Sequence, residues 1–175
     1  MSILYSDYLG YAEDDIVRNQ MGETHDLMFV TYKDEYIKKI AEDFNTKYST
    51  KSVEERIDIV LTMTQNIQYM YDSDTKGQEE YWKYPLETLF EQNGDCEDTS
   101  FLFCAIVKAM GHDTAIFIFD GHMAAGVSYD RQVEGGDWYD IRGGKNYFYC
   151  ETTATGYTIG HAPSGLVHFY TYVVK

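Results

Sequence analysis

The sequence predicts an α+β domain in which N-terminal helices pack against a C-terminal antiparallel sheet. Apolar residues recur at helical spacing to about residue 110. From 113 onward, short β-branched and aromatic runs are punctuated by Gly, Asp and Asn. Helices first and strands afterwards is the order of an α+β layer structure. The 175 residues suit one domain spanning 1–175, long enough to bury a core.

The elements follow in chain order. "EDDIVRNQM" (13–21) allows a short helix. In "DEYIKKIAEDFNTK" (34–47), Tyr36, Ile37, Ile40, Ala41 and Phe44 share a helical face. "STKSVEERIDIVLTMTQNIQYMY" (49–71) opens on Ser52 with Glu55 three residues later, a capping-box pattern, and Val53, Ile57, Val60, Leu61, Thr64 and Ile67 form its buried face. After the polar loop 72–80, Pro85 launches a helical turn over Leu86–Gln92. A further helix runs from about Cys96 to Met110 and stops at Gly111. Strands are expected within 113–120, 122–130, 138–152 and 165–175, with Gly-Gly at 135–136 and 143–144 as hairpin turns.

Composition narrows the function. A net charge of −15 repels phosphate backbones and anionic lipid, so nucleic acid is not an expected partner. No apolar run approaches the ~18 residues that a membrane span needs, so direct membrane insertion by this chain is not expected. The compartment stays open between the cytoplasm and an extracytoplasmic domain of a longer anchored protein. Three cysteines without CxxC spacing argue against a disulfide framework and against a zinc knuckle.

The chemistry concentrates in "NGDCEDTSFLF" (93–103), where Cys96 opens a helix. Unpaired amides and the positive end of the helix dipole favour a thiolate there, whereas Asp95, Glu97 and Asp98 disfavour one. A nucleophilic Cys96 therefore needs a base, and His122 in "FDGHMAAGVSYD" is the candidate. Glu151 in "NYFYCETT" is the acid that would orient the imidazole. If Glu151 faces His122, alternation turns Cys150 to the other side of the sheet. Taken singly, each residue has a plainer reading: a core thiol, a hydrogen-bonded strand histidine, a solvated glutamate. An ordered Cys, His and acid on helix, strand and strand sets catalysis level with those plainer readings. The Cys96 amide would then be one oxyanion donor, with Gln65, Trp82 or Tyr84 as candidates for the second. The carboxylates of Asp95, Glu97 and Asp98 could hold Ca²⁺, against ordinary helix-dipole complementarity.

Residues 50–160 resemble the transglutaminase-like cysteine enzymes, nearest their prokaryotic and archaeal branch of cysteine proteases. The resemblance lies in Pro-x-Glu-Thr-Leu (85–89), Gly-Asp-Cys-Glu-Asp (94–98), Ala-x-x-Lys-Ala-x-Gly (105–111), Gly-His-Met (121–123) and an acid before Thr-Thr (151–153). It implies a papain-like fold, with Cys96 as nucleophile, His122 as base and acid, and Glu151 as the orienting acid. Its adhesin-cleaving members also imply Ca²⁺ beside the cysteine. Two departures stand out: Glu at 151 where many members carry Asp, and "HMA" where many eukaryotic members have His-Ala-Trp. The expected activity is hydrolysis of an amide or peptide bond through a thioester, with a peptide or protein substrate and no required cofactor. The alternatives are acyl transfer to an amine, or a non-catalytic peptide- or Ca²⁺-binding module on the same fold.

Overall fold

The structure is a computed structural model and describes residues 2–14, 26–129, 136–141 and 145–175. Helix α1 spans Tyr5–Ala12, and a short 3-10 turn covers Asp26–Phe29. Helices α2 (Glu35–Lys47) and α3 (Val53–Gln65) follow, then β1 (Gln68–Tyr69), the single turn α4 (Asp72–Thr75), α5 (Pro85–Glu91), β2 (Asn93–Gly94) and α6 (Cys96–Ala109). The strands are β3 (Asp113–Phe119), β4 (His122–Ser128), β5 (Trp138–Ile141), β6 (Lys145–Cys150) and β7 (His168–Val173). The helical expectation for 13–21 falls mostly outside the described residues.

The helix signals operate through specific bonds. The Ser52 hydroxyl accepts from the Glu55 amide at 3.1 Å, and the Glu55 carboxylate accepts from the Ser52 amide at 2.8 Å. Pro85 takes the first position of α5, where its missing N–H costs nothing. Met110 caps α6, and Gly111 leaves it at φ +98°. Helix α3 ends at Gln65, six residues short of the sequence expectation. The chain beyond it is drawn out instead, because Gln68 and Tyr69 pair in parallel with Asn93 and Gly94. Part of the expected polar loop is also ordered as α4.

The five long strands form one antiparallel sheet in the order β5-β6-β4-β3-β7. Helix α6 lies across β3 and β4, with α2, α3 and α5 packed around it. Ile116, Met123, Ala125, Phe148 and Cys150 belong to the core that includes α6. Ala115, Phe117, Ala124, Tyr147 and Tyr149 form a separate apolar cluster. The expected architecture, a cysteine helix packed on a C-terminal antiparallel sheet, is the one observed. Among the described residues, no helix is long and apolar enough to cross a membrane.

Candidate active site

Cys96 is the first residue of α6, immediately after Asp95 in extended conformation. His122 is the first residue of β4, set there by the tight connection through Gly121, whose φ of +66° suits glycine. Glu151 follows the last residue of β6. Alternation from the Ala125–Cys150 pair places Cys150 in the α6 core and turns Glu151 and Tyr149 to the other face. Cys96 and His122 each begin their element and face a common space. Together they line a cavity of about 630 Å³. Of the three cysteines, all free, only Cys96 borders it; Cys104 and Cys150 are fully buried.

The His122–Glu151 pair is direct, with Nε2 and Oε2 3.2 Å apart. Glu151 is 2% exposed, and both of its oxygens are bonded. Oε2 also accepts from the Tyr149 hydroxyl at 2.6 Å, while Oε1 accepts from the Thr153 amide at 3.0 Å and its hydroxyl at 2.6 Å. Burial alone would raise this carboxyl, but the bonds from His122, Thr153 and Tyr149 hold it down at about 2. An ionised carboxylate can only accept, so the hydrogen of His122 sits on Nε2 and Nδ1 is left as the basic nitrogen.

The surroundings of Cys96 disfavour its thiolate. Burial pushes Cys96 up, the charge of Glu97 and a hydrogen bond to it add to the rise, and the Met123 amide works against it. The bond runs from Sγ to Glu97 Oε2 at 2.9 Å. Glu97 is itself pushed up to about 8 by burial and by Asp95. At this position burial and the acidic neighbours outweigh the helix terminus.

The three second-donor candidates separate. The Gln65 side-chain amide donates to the carbonyls of Glu151 and Tyr157, both at 2.9 Å, so both hydrogens are spent bracing the end of β6. Tyr84 is a core residue, 3% exposed and stacked on Phe29. Trp82 alone lines the cavity, and its Nε1 donates to Glu80 Oε2 at 3.3 Å.

The acidic trio does not act as a unit. Asp98 is fully buried and committed: Oδ1 accepts from the Lys83 amide at 2.7 Å, and Oδ2 lies 3.4 Å from the Lys83 ammonium. Burial and the Asp95 charge push Asp98 up to about 8, against the pull of Lys83. Among the described residues, no group of three or more His, Cys, Asp or Glu side chains is disposed to hold a metal ion. Asp95 Oδ1 is buried without a hydrogen-bond partner, which fits one ligand oxygen but not a complete site.

Sequence reasoning missed Lys83 and Tyr149. Lys83 is a fully buried cation that holds Asp98, Glu91 and Asn93 together, and so fixes β2 and α5 against the start of α6. A single Lys before Tyr-Pro carries no signal of burial. Tyr149, two residues before Glu151 and on the same face, was legible in principle from strand alternation.

No family model matches the chain, and no curated protein matches it by sequence. Its fold is similar to that of Legionella pneumophila LapG, with a TM-score of 0.54 and 15% identity over 90% of this chain and 78% of that one. A calcium-bound form of LapG matches with a TM-score of 0.52 and 15% identity, over 97% of this chain and 84% of that one. A Cytophaga hutchinsonii protein, provisionally named a cysteine protease, matches with a TM-score of 0.50 and 15% identity over 89% of this chain and 48% of its own. At that identity the likeness is one of fold.

Proposed function

We propose that this chain is a cysteine peptidase or amidase that cleaves a peptide or amide bond through a Cys96 thioester. The reading is carried by His122, which lines the same cavity as Cys96 and is held from behind by the buried, ionised carboxylate of Glu151. The provisionally named cysteine protease among its structural neighbours supports it at the level of fold.

In this reading the His122 Nδ1 takes the thiol proton as Sγ attacks the carbonyl carbon. The imidazolium, stabilised by Glu151, then gives that proton to the leaving amine. Removing the proton during attack suits a thiol whose surroundings disfavour a standing thiolate. The Cys96 amide at the start of α6 is the proposed oxyanion donor, with Trp82 across the cavity as the remaining candidate for the second. Water completes the cycle in a hydrolase, and a primary amine completes it in an acyl transferase.

One experiment separates these outcomes. Denatured casein is incubated with the protein and a biotinylated alkylamine, in CaCl₂ and in EGTA, and the products are read by mass spectrometry. New N-termini that disappear in Cys96→Ala and His122→Ala are expected. Amine incorporation into glutamine would instead identify a transferase. Neither product in either buffer would leave the non-catalytic binding module as the reading.

A further inference from the structure

The side chains around Cys96 and His122 give the cavity one sign of charge and an aromatic wall. Carboxylates of Asp72, Glu79, Glu80 and Asp95 line it beside the Glu97 carboxyl, and none of the described lining residues is Lys or Arg. Tyr69 and Tyr71 meet edge to face at 5.4 Å, and Tyr170 stacks on Tyr172 at 6.4 Å; all four border the cavity, as does Trp82. Tyr71 and Tyr170 are 63% and 58% exposed, an unusual investment of large rings unless something covers them.

An acidic surface alone would be only a solvated face, but Asp72 is not on the surface. It is 3% exposed, its Oδ2 accepts from the Tyr81 amide at 2.6 Å, and its Oδ1 is buried with no hydrogen-bond partner. A buried acceptor left unmade is costly, and a donor arriving through the cavity would relieve that cost. Asp95 Oδ1 stands in the same condition.

We propose that this cavity selects peptides carrying a lysine or arginine side chain near the bond presented to Cys96. The cation lies against the faces of Trp82 and Tyr71 and donates to Asp72, Glu79 and Glu80. Aromatic faces attract cations through their quadrupole. Carboxylates supply charge-assisted bonds, and a one-signed cleft with apolar walls concentrates the field. Acidic peptides are excluded by the same groups. The proposal rests on the peptidase reading for which bond is presented, but binding requires no turnover, so the two can fail separately.

The test uses Cys96→Ala, which binds without cleaving, and fluorescein-labelled heptapeptides of Gly and Ala with Lys, Ala or Glu at the centre. Anisotropy is measured in EGTA at about 0.15 M salt, where the Debye length is about 8 Å and diffuse attraction is largely screened. The Lys peptide is expected to bind about tenfold more tightly than the Ala peptide, the gain of one well-made charged contact, with the Glu peptide weakest. Adding Glu79→Gln and Glu80→Gln, both at exposed positions that the fold does not depend on, should reduce that preference to about twofold or less. Neutralising Glu42 and Asp43 on the distant helix α2 should leave it intact. Equal binding of the Lys and Ala peptides overturns the proposal, as does an equal loss of preference in both neutralised pairs.

Discussion

Glu151 bears more of the site than any other single residue. Its carboxylate takes four hydrogen bonds from three side chains and one amide, all in a place that water hardly reaches. Folding therefore lowers its pKa from 4.5 to about 2. A carboxyl depressed on folding adds stability that is present above its unfolded pKa and lost as pH falls toward the folded one. The shift corresponds to about 3 kcal/mol at neutral pH. In Glu151→Gln, urea unfolding at pH 7 should show a loss of that order, and the gap from wild type should close between about pH 4.5 and pH 2. The same variant leaves the imidazole hydrogen without its ionised acceptor. Its turnover should fall about 10²- to 10⁴-fold, as expected when a base loses its orienting carboxylate. A variant with normal turnover and a constant stability gap across that window would remove Glu151 from the chemistry.

At the scale of elements, the strand that begins with His122 keeps Gly126 bare so that the Phe117 ring of β3 can lie over it. A Cβ built at Gly126 would lie 2.6 Å from the ring of Phe117, a fully buried side chain on the adjacent strand. Phe117 stacks parallel to Tyr149 at 6.4 Å, so it has little room to move away. Gly126→Ala should cost about 1–3 kcal/mol in urea unfolding, the usual penalty for overpacking, and Phe117→Leu in the same chain should recover part of it. Destabilisation that the second substitution does not relieve would mean the clash lies elsewhere. Most elements of this kind were readable in the sequence because their causes are local. Ser52 and Glu55 cap α3, Pro85 starts α5, Gly111 stops α6, and Cys96 and His122 fall at the element starts where the motifs place them. Elements whose causes are distant were not readable. The β1–β2 pair is two residues on each side, too short for any period, and it cut α3 short by competing for the residues after Gln65. The roles of Gln65 and Lys83 depend on carbonyls and carboxylates that only the fold brings near them.

At the scale of the whole molecule, a chain of charge −15 buries several carboxyls at one end, and that arrangement fixes how its stability responds to pH. Burial, with the charge of Asp95 adding to each, raises Asp72 to about 6 and Glu97 and Asp98 to about 8. The folded state holds these protons after the unfolded chain has released them near pH 4. It therefore binds more protons than the unfolded state, and stability declines as pH rises through that interval. Glu151 acts in the opposite direction, but only below about 4.5. Repulsion among the remaining acids works in the same sense as the raised carboxyls. The thermal midpoint, followed by calorimetry from pH 4 to 9, should peak near pH 5 and fall toward pH 8. Glu97→Gln, which cannot take up that charge, should show a shallower fall between about pH 5 and pH 8. A midpoint that rises steadily to pH 8 would mean these carboxyls are ionised and paired in the folded protein. The cavity beside Cys96 would then carry its full negative charge at neutral pH, with a correspondingly stronger hold on cations.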